Sequence, residues 1–254
     1  MDLQVPSATL AALLLASARA TGFVVLAPPF NNNAIPSAVK GALALALSLV
    51  VFPHISGTLP AITAGFLIVT AITEAIIGAA LGFLVQVLFT GVQMAGDIID
   101  VTGGFSLQPA YDPMSLSTHG VIGKMHYLLA TTLLFTSGGH LLLVRGFVTS
   151  YEGLPVGASL PTDQLGSALV TAFTMMFLAA LQIAGPMVAV LLLADVALAL
   201  LSKAAPALNI FAIGFPVKIM VTLALLGLTF PLLPTALDSL MNHAVEAMLA
   251  FKSG

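Results

Sequence analysis

The sequence contains no cysteine and no tryptophan, and only 7% of its 254 residues are Asp, Glu, Lys or Arg. Without cysteine the chain can form neither disulfides nor thiolate metal sites, and it has no cysteine nucleophile. Its formal net charge is −3, and no run of Lys or Arg favours nucleic acid as a partner. These absences exclude thiol chemistry and argue against nucleic-acid binding, but they do not fix a redox compartment.

Apolar side chains take the place of the missing charge, since hydrophobic residues make up 59% of the chain. Ordinary soluble domains are roughly 45–50% apolar and about 25% charged. A water-soluble fold of this length needs more polar surface than this composition supplies. We therefore expect lipid, or other apolar protein, to surround most of the chain.

The first apolar run has some features of a signal peptide. However, Asp2 precedes it without any Lys or Arg, Arg19 falls inside the supposed cleavage site, and the apolar run resumes at once. We expect this segment to be a retained membrane helix.

Six continuous apolar runs predict membrane-type helices, because a spanning helix needs ~20 mainly apolar residues. The second run is short, and the third and fifth are too long for one ordinary span. The third run predicts either one long helix that projects past the bilayer or two helices with a tight break. The fifth contains Pro186, a natural hinge because proline removes one helical hydrogen bond. The runs occupy residues 7–27, 38–52, 62–99, 120–144, 165–201 and 210–233.

Charged side chains inside these runs cost roughly 2.5–3.5 kcal/mol each on insertion scales, so each needs a physical reason. Glu74 is either a proton or ion site or, as we favour, an anchor paired with a basic residue or backbone donors. Asp97 and Asp100 share one helical face and could bind a cation or act as an acid/base pair. Because no third ligand follows at suitable spacing, we expect them instead to mark where a helix leaves the apolar region. We expect five structural charges to be buried, namely Glu74, Asp97, Asp195, Lys203 and Lys218.

No constellation typical of catalysis, cofactor binding or metal binding is visible. His119, His126 and His140 form neither an i, i+4 pair nor an HExxH pattern. A phosphate-binding loop and a nucleophile elbow are also missing from the sequence. We therefore predict that the protein is not an enzyme and carries no cofactor.

Small residues recur in every apolar run and favour close helix packing. Gly78 and Gly82 form a GxxxG pattern, which lets two helix backbones approach closely. We expect Gly214 and Pro216, in the GFP triplet, to be further packing or hinge positions. Helices that are much shorter or longer than the bilayer is thick are tolerated where protein surrounds them. The apolar runs therefore favour an obligate multi-subunit assembly.

A polar segment, GGFSLQPAYDPMSLSTH at residues 103–119, separates the third and fourth runs. Gly103 and Gly104 give conformational freedom at one end. Pro109 and Pro113 restrict the middle, and Asp112 before a proline favours a turn. Loops this long and chemically mixed are often functional, although an ordinary surface connection is the alternative. The large apolar side chains that could seal a constriction are Phe105, Leu107, Tyr111 and Met114.

Three segments carry a resemblance to a known family: GGFSLQPAYDPMSLS, FTSGGHLLLVRGFVTSYEGLPVG and DVALALLSKAAPALNIFAIGFPVKI. Together, in order and spacing, they resemble the FliR family of flagellar biosynthetic proteins and its injectisome counterparts. The third segment is the most specific, and its GFP triplet is similar to the flagellar form. The chain departs from the family pattern at three places. The tetrapeptide SGGH that ends at His140 lacks the usual Asn, Ala207 stands where Gln is common, and Asp195 stands where Glu is frequent.

The resemblance implies a single FliR-like membrane domain over residues 1–254, with a plug-like loop at 103–119, a second loop at 151–164 and an amphipathic tail at 236–254. It implies an all-α membrane protein whose hairpins pack in a helical hetero-oligomeric export gate. In the family, the loop matching 103–119 projects into the pore and helps to plug it.

The same resemblance implies a non-catalytic core subunit of the flagellar type III export gate. Its expected partners are FliP-like and FliQ-like subunits, FlhB-type and FlhA-type export components, membrane lipid and unfolded export substrates. Its expected location is the bacterial inner membrane at the centre of the flagellar basal body. The residues alone leave an alternative open, which is a secondary transporter or channel for a small solute that uses Glu74 and Asp195.

Overall fold

The structure, a computed structural model, describes residues 7–32, 34–55, 63–105, 120–160, 162–207 and 209–249. Within these ranges the regular structure is helical throughout, with a 3₁₀ turn at Leu226–Leu228. The α-helices are α1 (Ser7–Leu26), α2 (Ser37–Ile55), α3 (Ala64–Gly103), α4 (Val121–Thr136), α5 (Gly139–Gly153), α6 (Thr162–Ala204), α7 (Ile210–Leu225) and α8 (Leu232–Leu249).

Several of these helices have the length and composition of membrane spans, which confirms the predicted all-α membrane fold. Three pass this test alone, at Ala8–Leu26, Ala64–Gly103 and Thr162–Ala204. The number rises to five if α4 with α5, and α7 with α8, each count as one broken span. The mixture of overlong and broken segments expected from the apolar runs is therefore present.

The two overlong runs form uninterrupted helices. α3 has 40 residues and α6 has 43, which correspond to about 60 and 64 Å at 1.5 Å per residue. A bilayer core is only ~30 Å thick. Of the two interpretations of the third run, one long helix is the outcome. α6 also continues through Pro186, and α7 through Pro216, without a break.

Two predicted boundaries were wrong. The fourth run is not one uninterrupted helix from 120 to 144, because Ser137 and Gly138 separate α4 from α5. Gly138 has φ 78°, a left-handed conformation that favours glycine. The second loop is shorter than residues 151–164, since α5 extends to Gly153 and α6 begins at Thr162. α8 begins at Leu232 and ends at Leu249, and the amphipathic tail at 236–254 stays a prediction.

The described residues cluster into two compact units, to both of which α3 and α6 contribute. Unit 1 is drawn from residues 1–88, 137–173 and 241–254, and unit 2 from residues 89–136 and 174–240. The single-domain organisation over residues 1–254 stays a prediction.

Unit 1 is built on a very close approach of α1 and α3. A Cβ atom added to Gly78 would collide with the carbonyl group of Arg19, and one added to Gly82 would lie 2.7 Å from the carbonyl oxygen of Phe23. The GxxxG pattern therefore brings two backbones together, as the sequence predicts. On the other side of α1, the ring of Phe23 packs against that of Phe147 of α5, with 5.0 Å between centroids.

In unit 2, glycines likewise allow the backbone of α3 to approach those of α4 and α6 closely. A Cβ atom on Gly96 would lie 2.6 Å from the Cα atom of Gly123 in α4, and one on Gly91 would lie 2.8 Å from the carbonyl oxygen of Met176 in α6. The backbones of α3 and its two neighbours are thus in direct contact at these glycines.

The contact at Gly78 gives a stability prediction. Gly78→Ala places a methyl group where the carbonyl group of Arg19 lies, and we expect it to lower the free energy of unfolding by about 1–3 kcal/mol, the usual cost of overpacking. Gly41→Ala in α2 is the matched control, because a Cβ atom there meets nothing within 4 Å. That change should be neutral or stabilise by about 0.4–1 kcal/mol. Thermal unfolding in mild detergent measures both, and equal effects would contradict the packing described.

Candidate functional site

The segment 106–119 lies outside the described residues, but the residues on both sides of it are described, and both ends are held. The C-terminal end leads into α4, whose first backbone N–H groups have no partner inside their own helix. Asp100 Oδ2 accepts the N–H groups of Ile122 and Gly123, at 3.0 Å each. Asp97 Oδ1 accepts the N–H of Gly120 at 3.3 Å. Two carboxylates of α3 therefore cap α4, and negative charge is favourable at a helix N-terminus.

Glycines at the start of α4 make room for these carboxylates. A Cβ atom on Gly120 would collide with the carboxylate of Asp100, and one on Gly123 would collide with that of Asp97. Asp100 is buried and Asp97 is half-buried. No group of three His, Asp or Glu side chains suited to a metal ion occurs among the described residues. The paired carboxylates thus serve as a helix cap, whereas the sequence suggested a helix leaving the apolar region.

The N-terminal end of the segment rests on α7. A Cβ atom on Gly103 would lie 2.5 Å from Thr222 Oγ1, and one on Gly104 would lie 3.3 Å from Phe215 Cδ1. Gly104 has φ 85°, which favours glycine. The apolar side chain of Phe105 is half-buried. The remaining predicted plug residues lie outside the described residues, and these are Leu107, Pro109, Tyr111, Asp112, Pro113 and Met114.

A buried histidine fixes α4 one turn beyond its cap. His126 Nδ1 lies 3.0 Å from the carbonyl oxygen of Ile122, and because a carbonyl only accepts, Nδ1 is the donor. His126 Nε2 lies 3.2 Å from Thr229 Oγ1, in the connection between α7 and α8. The sequence raised this histidine only as a weak metal candidate, whereas its two nitrogens join α4 to the region after α7.

A second polar cluster lies in unit 1, around Glu74. Glu74 Oε2 is 2.5 Å from Arg19 Nε, and both side chains are completely buried. Arg19 Nη2 donates to the carbonyl oxygen of Leu154 at 2.9 Å, and its guanidinium carbon lies 3.8 Å from the centroid of the Tyr151 ring. Glu74 Oε1 accepts the N–H of Gly157 at 3.2 Å. One ion pair thereby links α1, α3, α5 and the connection that follows α5.

The sequence did not identify Arg19 as the partner of Glu74. It drew attention to Arg19 only because that residue lies inside the supposed signal-peptide cleavage site. A partial signal was present, since Arg19 and Lys40 are the basic residues inside the first three apolar runs, and Lys40 lies near the start of its run. Burying a charge costs several kcal/mol unless it is paired. Arg19 was therefore one of two candidate partners for Glu74, and the contact between α1 and α3 decides between them.

Asp195, Lys203 and Lys218 belong to unit 2 and are less buried than predicted. Lys218 Nζ lies 2.7 Å from Asp195 Oδ1, but the Asp195 side chain is 49% exposed and that of Lys218 17%. Lys203 is exposed near the end of α6. Placing Asp195 and Lys203 among the buried charges was therefore wrong for the isolated chain. Gly214 faces α6, where an added Cβ atom would lie 3.4 Å from Leu198 Cδ1.

The buried pair predicts strong coupling between its two members. Arg19→Met or Glu74→Gln alone leaves an unpaired partner, and we expect either to cost about 3–5 kcal/mol of unfolding free energy. The double variant should recover much of this loss, because no lone charge remains. Asp195→Asn is the control, since an exposed pair contributes only about 0–1 kcal/mol. Unfolding in detergent gives the double-mutant cycle, and additive losses would show that the pair is not coupled.

The capping carboxylates predict a local effect at α4. Asp100→Ala removes the acceptor for two N–H groups and should cost about 0.5–2 kcal/mol, so amide hydrogen exchange at Ile122 and Gly123 should accelerate roughly 2- to 30-fold. Asp97→Ala should have a smaller effect on these two amides, because its carboxylate accepts the N–H of Gly120 instead. Mass spectrometry of peptides spanning residues 120–126 measures this. Unchanged exchange in Asp100→Ala would refute the cap.

Comparisons with known proteins identify the family of this all-α membrane chain. The family model of bacterial export proteins, family 1, matches residues 10–244. The chain is 31% identical to the flagellar biosynthetic protein FliR of Escherichia coli (strain K12), over 89% of this chain and 86% of that protein.

FliR of Bacillus subtilis (strain 168) is 28% identical over 93% of each chain. Similarity also extends to the surface presentation of antigens protein SpaR of Salmonella typhimurium, at 31% identity over 92% of this chain and 89% of that protein. The chain therefore belongs to family 1 of the bacterial export proteins, and it is similar to flagellar FliR proteins along most of its length.

Proposed function

We propose that this chain is a non-catalytic core subunit of the flagellar type III export gate, which forms with FliP-like and FliQ-like subunits the pore for unfolded flagellar proteins. Its family membership and apolar helices make it a membrane component of a flagellar or type III export apparatus. The pore partnership, the position at the centre of the basal body in the inner membrane, and contact with FlhB-type and FlhA-type components are the finer parts of the proposal.

The observation that carries the proposal is the anchoring of both ends of residues 106–119 on the helices of unit 2. Gly103 and Gly104 pack on Thr222 and Phe215 of α7. At the other end, Asp100 accepts two N–H groups of α4. A plug in a watery conduit has to change conformation while its supporting helices stay folded, and a loop anchored at both ends meets that requirement.

The apolar surface of the chain supports a multi-subunit assembly. Only 22% of the most apolar window of α6 is buried within the chain, against 61% for α3. Large hydrophobic side chains along α6 are well exposed, including Val170 at 69% and Leu193 at 68%. A helix of about 64 Å cannot be covered by a hydrocarbon core of ~30 Å alone unless it is steeply tilted. Neighbouring subunits would cover the remainder.

The alternative, a secondary transporter that uses Glu74 and Asp195, receives little support from the geometry. Glu74 is completely buried, and its two oxygens are occupied by Arg19 and by the N–H of Gly157. Asp195 belongs to the other unit and pairs with Lys218. A carboxylate that binds and releases an ion during transport has to be accessible at some stage, whereas Glu74 is completely buried and paired in this structure.

The proposed plug predicts an ion leak when its apolar side chains are removed. The triple variant Leu107→Ser, Tyr111→Ser and Met114→Ser should assemble at the yield of the unaltered chain, because the anchoring residues are untouched. Ion conductance across membranes that contain the assembled complex should rise severalfold, since water wets a polar constriction.

Val156→Ser with Leu160→Ser, in the connection after α5, is the control and should leave the conductance unchanged. Purified complexes in planar bilayers provide the measurement. A triple variant that assembles fully and conducts no more than the unaltered complex would rule out the plug role.

A further inference from the structure

One turn of α6 combines three unusual features on the exposed side of the helix. Gln182 is an exposed amide within a stretch of exposed apolar residues, with Leu178 46% and Leu181 60% exposed. In the part of the chain that the structure describes, its amide makes no hydrogen bond. An amide in this position has two donors and one acceptor with no partner from its own chain.

Pro186 adds a second unsatisfied group at the same place. α6 is helical through residues 182–186, and in a helix the carbonyl oxygen of residue i accepts the N–H of residue i+4. Proline has no N–H, so the backbone carbonyl of Gln182 lacks its helical donor. The side chain and the main chain of one residue therefore both require hydrogen bonds from outside the helix.

Gly185 leaves open space beside these groups. A Cβ atom built on Gly185 would meet nothing within 4 Å, and the residue is partly exposed. The opposite side of this turn is filled, since Ile183, Ala184 and Met187 are completely buried within unit 2. The exposed side is therefore a notch in an apolar surface, with a free amide and a free carbonyl at its edge.

Acyl chains cannot satisfy these groups, because hydrocarbon offers no hydrogen bonds and each unsatisfied group there carries a free-energy cost. Polar side chains and small residues, by contrast, are typical of helix–helix interfaces in membranes, where glycine permits close approach. The length of α6 points in the same direction, since a bilayer covers only part of a helix of about 64 Å.

We infer that the Gln182–Pro186 turn of α6 is a contact site for a transmembrane helix of a partner subunit, which presents a hydrogen-bond donor such as Ser, Thr or Asn to the amide and carbonyl of Gln182. The inference rests on the proposed function, in that the partner is another subunit of the same export gate. It adds a particular surface and the chemistry that the partner has to supply.

Spin labelling distinguishes the possible surroundings of this turn. The chain has no cysteine, so Gln182→Cys gives a unique labelling site, provided that the co-expressed FliP-like and FliQ-like subunits are also free of cysteine. In the assembled complex we expect an immobilised label that neither oxygen nor a water-soluble nickel complex reaches. Access by oxygen would mean that lipid covers the turn, and access by the nickel complex would mean that the turn faces water. Either result would overturn the inference.

A second experiment tests the hydrogen bond itself. Gln182→Leu keeps the approximate size of the side chain but removes its polar atoms, whereas Leu181→Met is the control at a 60% exposed neighbour. Interhelical hydrogen bonds in membranes contribute about 0.6–1.7 kcal/mol, so Gln182→Leu should weaken incorporation into the complex about 3- to 20-fold. Gln182→Asn, which retains an amide, should recover part of the loss.

Unchanged incorporation of Gln182→Leu would also overturn the inference. The two proposals fail separately in these experiments. If the unaltered chain forms no complex with the co-expressed subunits, the proposed function is wrong. If that complex forms normally and the label at position 182 remains accessible, only the contact site is wrong.

Discussion

A charge in an apolar environment has no partner except the protein itself, and much of this structure follows from that constraint. Arg19 and Glu74 are completely buried and lie 2.5 Å apart. They can meet only because Gly78 lets the backbone of α3 approach the carbonyl group of Arg19. Arg19 Nη2 donates to the carbonyl oxygen of Leu154, and Glu74 Oε1 accepts the N–H of Gly157, so the same pair fixes the connection after α5. In unit 1 the charge pairing therefore depends on the close glycine packing.

In unit 2, charged side chains also find their partners within the protein, but here the partners are backbone N–H groups at the start of a helix. Asp97 and Asp100 lie in the last two turns of α3, and their carboxylates accept backbone N–H groups at the start of α4. The charges and the helix end thus satisfy each other. The start of α4 is therefore held by α3 itself, which suits the gating role that we propose for the segment 106–119.

The helices of this chain were largely predictable, because continuous apolar runs determine them locally. The bounds of α1 and α2 differ from the predicted runs by at most three residues. The break at Ser137 and Gly138 was not predicted, because the apolar run resumes beyond the Ser-Gly-Gly triplet and the left-handed conformation of Gly138 cannot be seen in the sequence. Pro186 was expected to be a hinge, but α6 continues through it, because the loss of one hydrogen bond does not end a helix of 43 residues.

The partners of the charges were harder to predict, because they depend on contacts between residues far apart in sequence. Glu74 could be assigned a basic partner in general, but choosing Arg19 required knowing that α1 crosses α3 at Gly78. Likewise, the spacing of Asp97 and Asp100 placed them on one helical face without indicating the N-terminus of α4. Burial also depends on surroundings outside the chain, so Asp195 and Lys203, within or beside an apolar run, are exposed.

The central claim is that this chain is a subunit of a hetero-oligomeric export gate, and native mass spectrometry tests it most directly. The tagged chain would be co-expressed with its genomic neighbours and purified in mild detergent. The account predicts one large complex in which this chain is accompanied by multiple copies of two other small hydrophobic proteins. A stable monomer or homodimer that is indifferent to co-expression would contradict it.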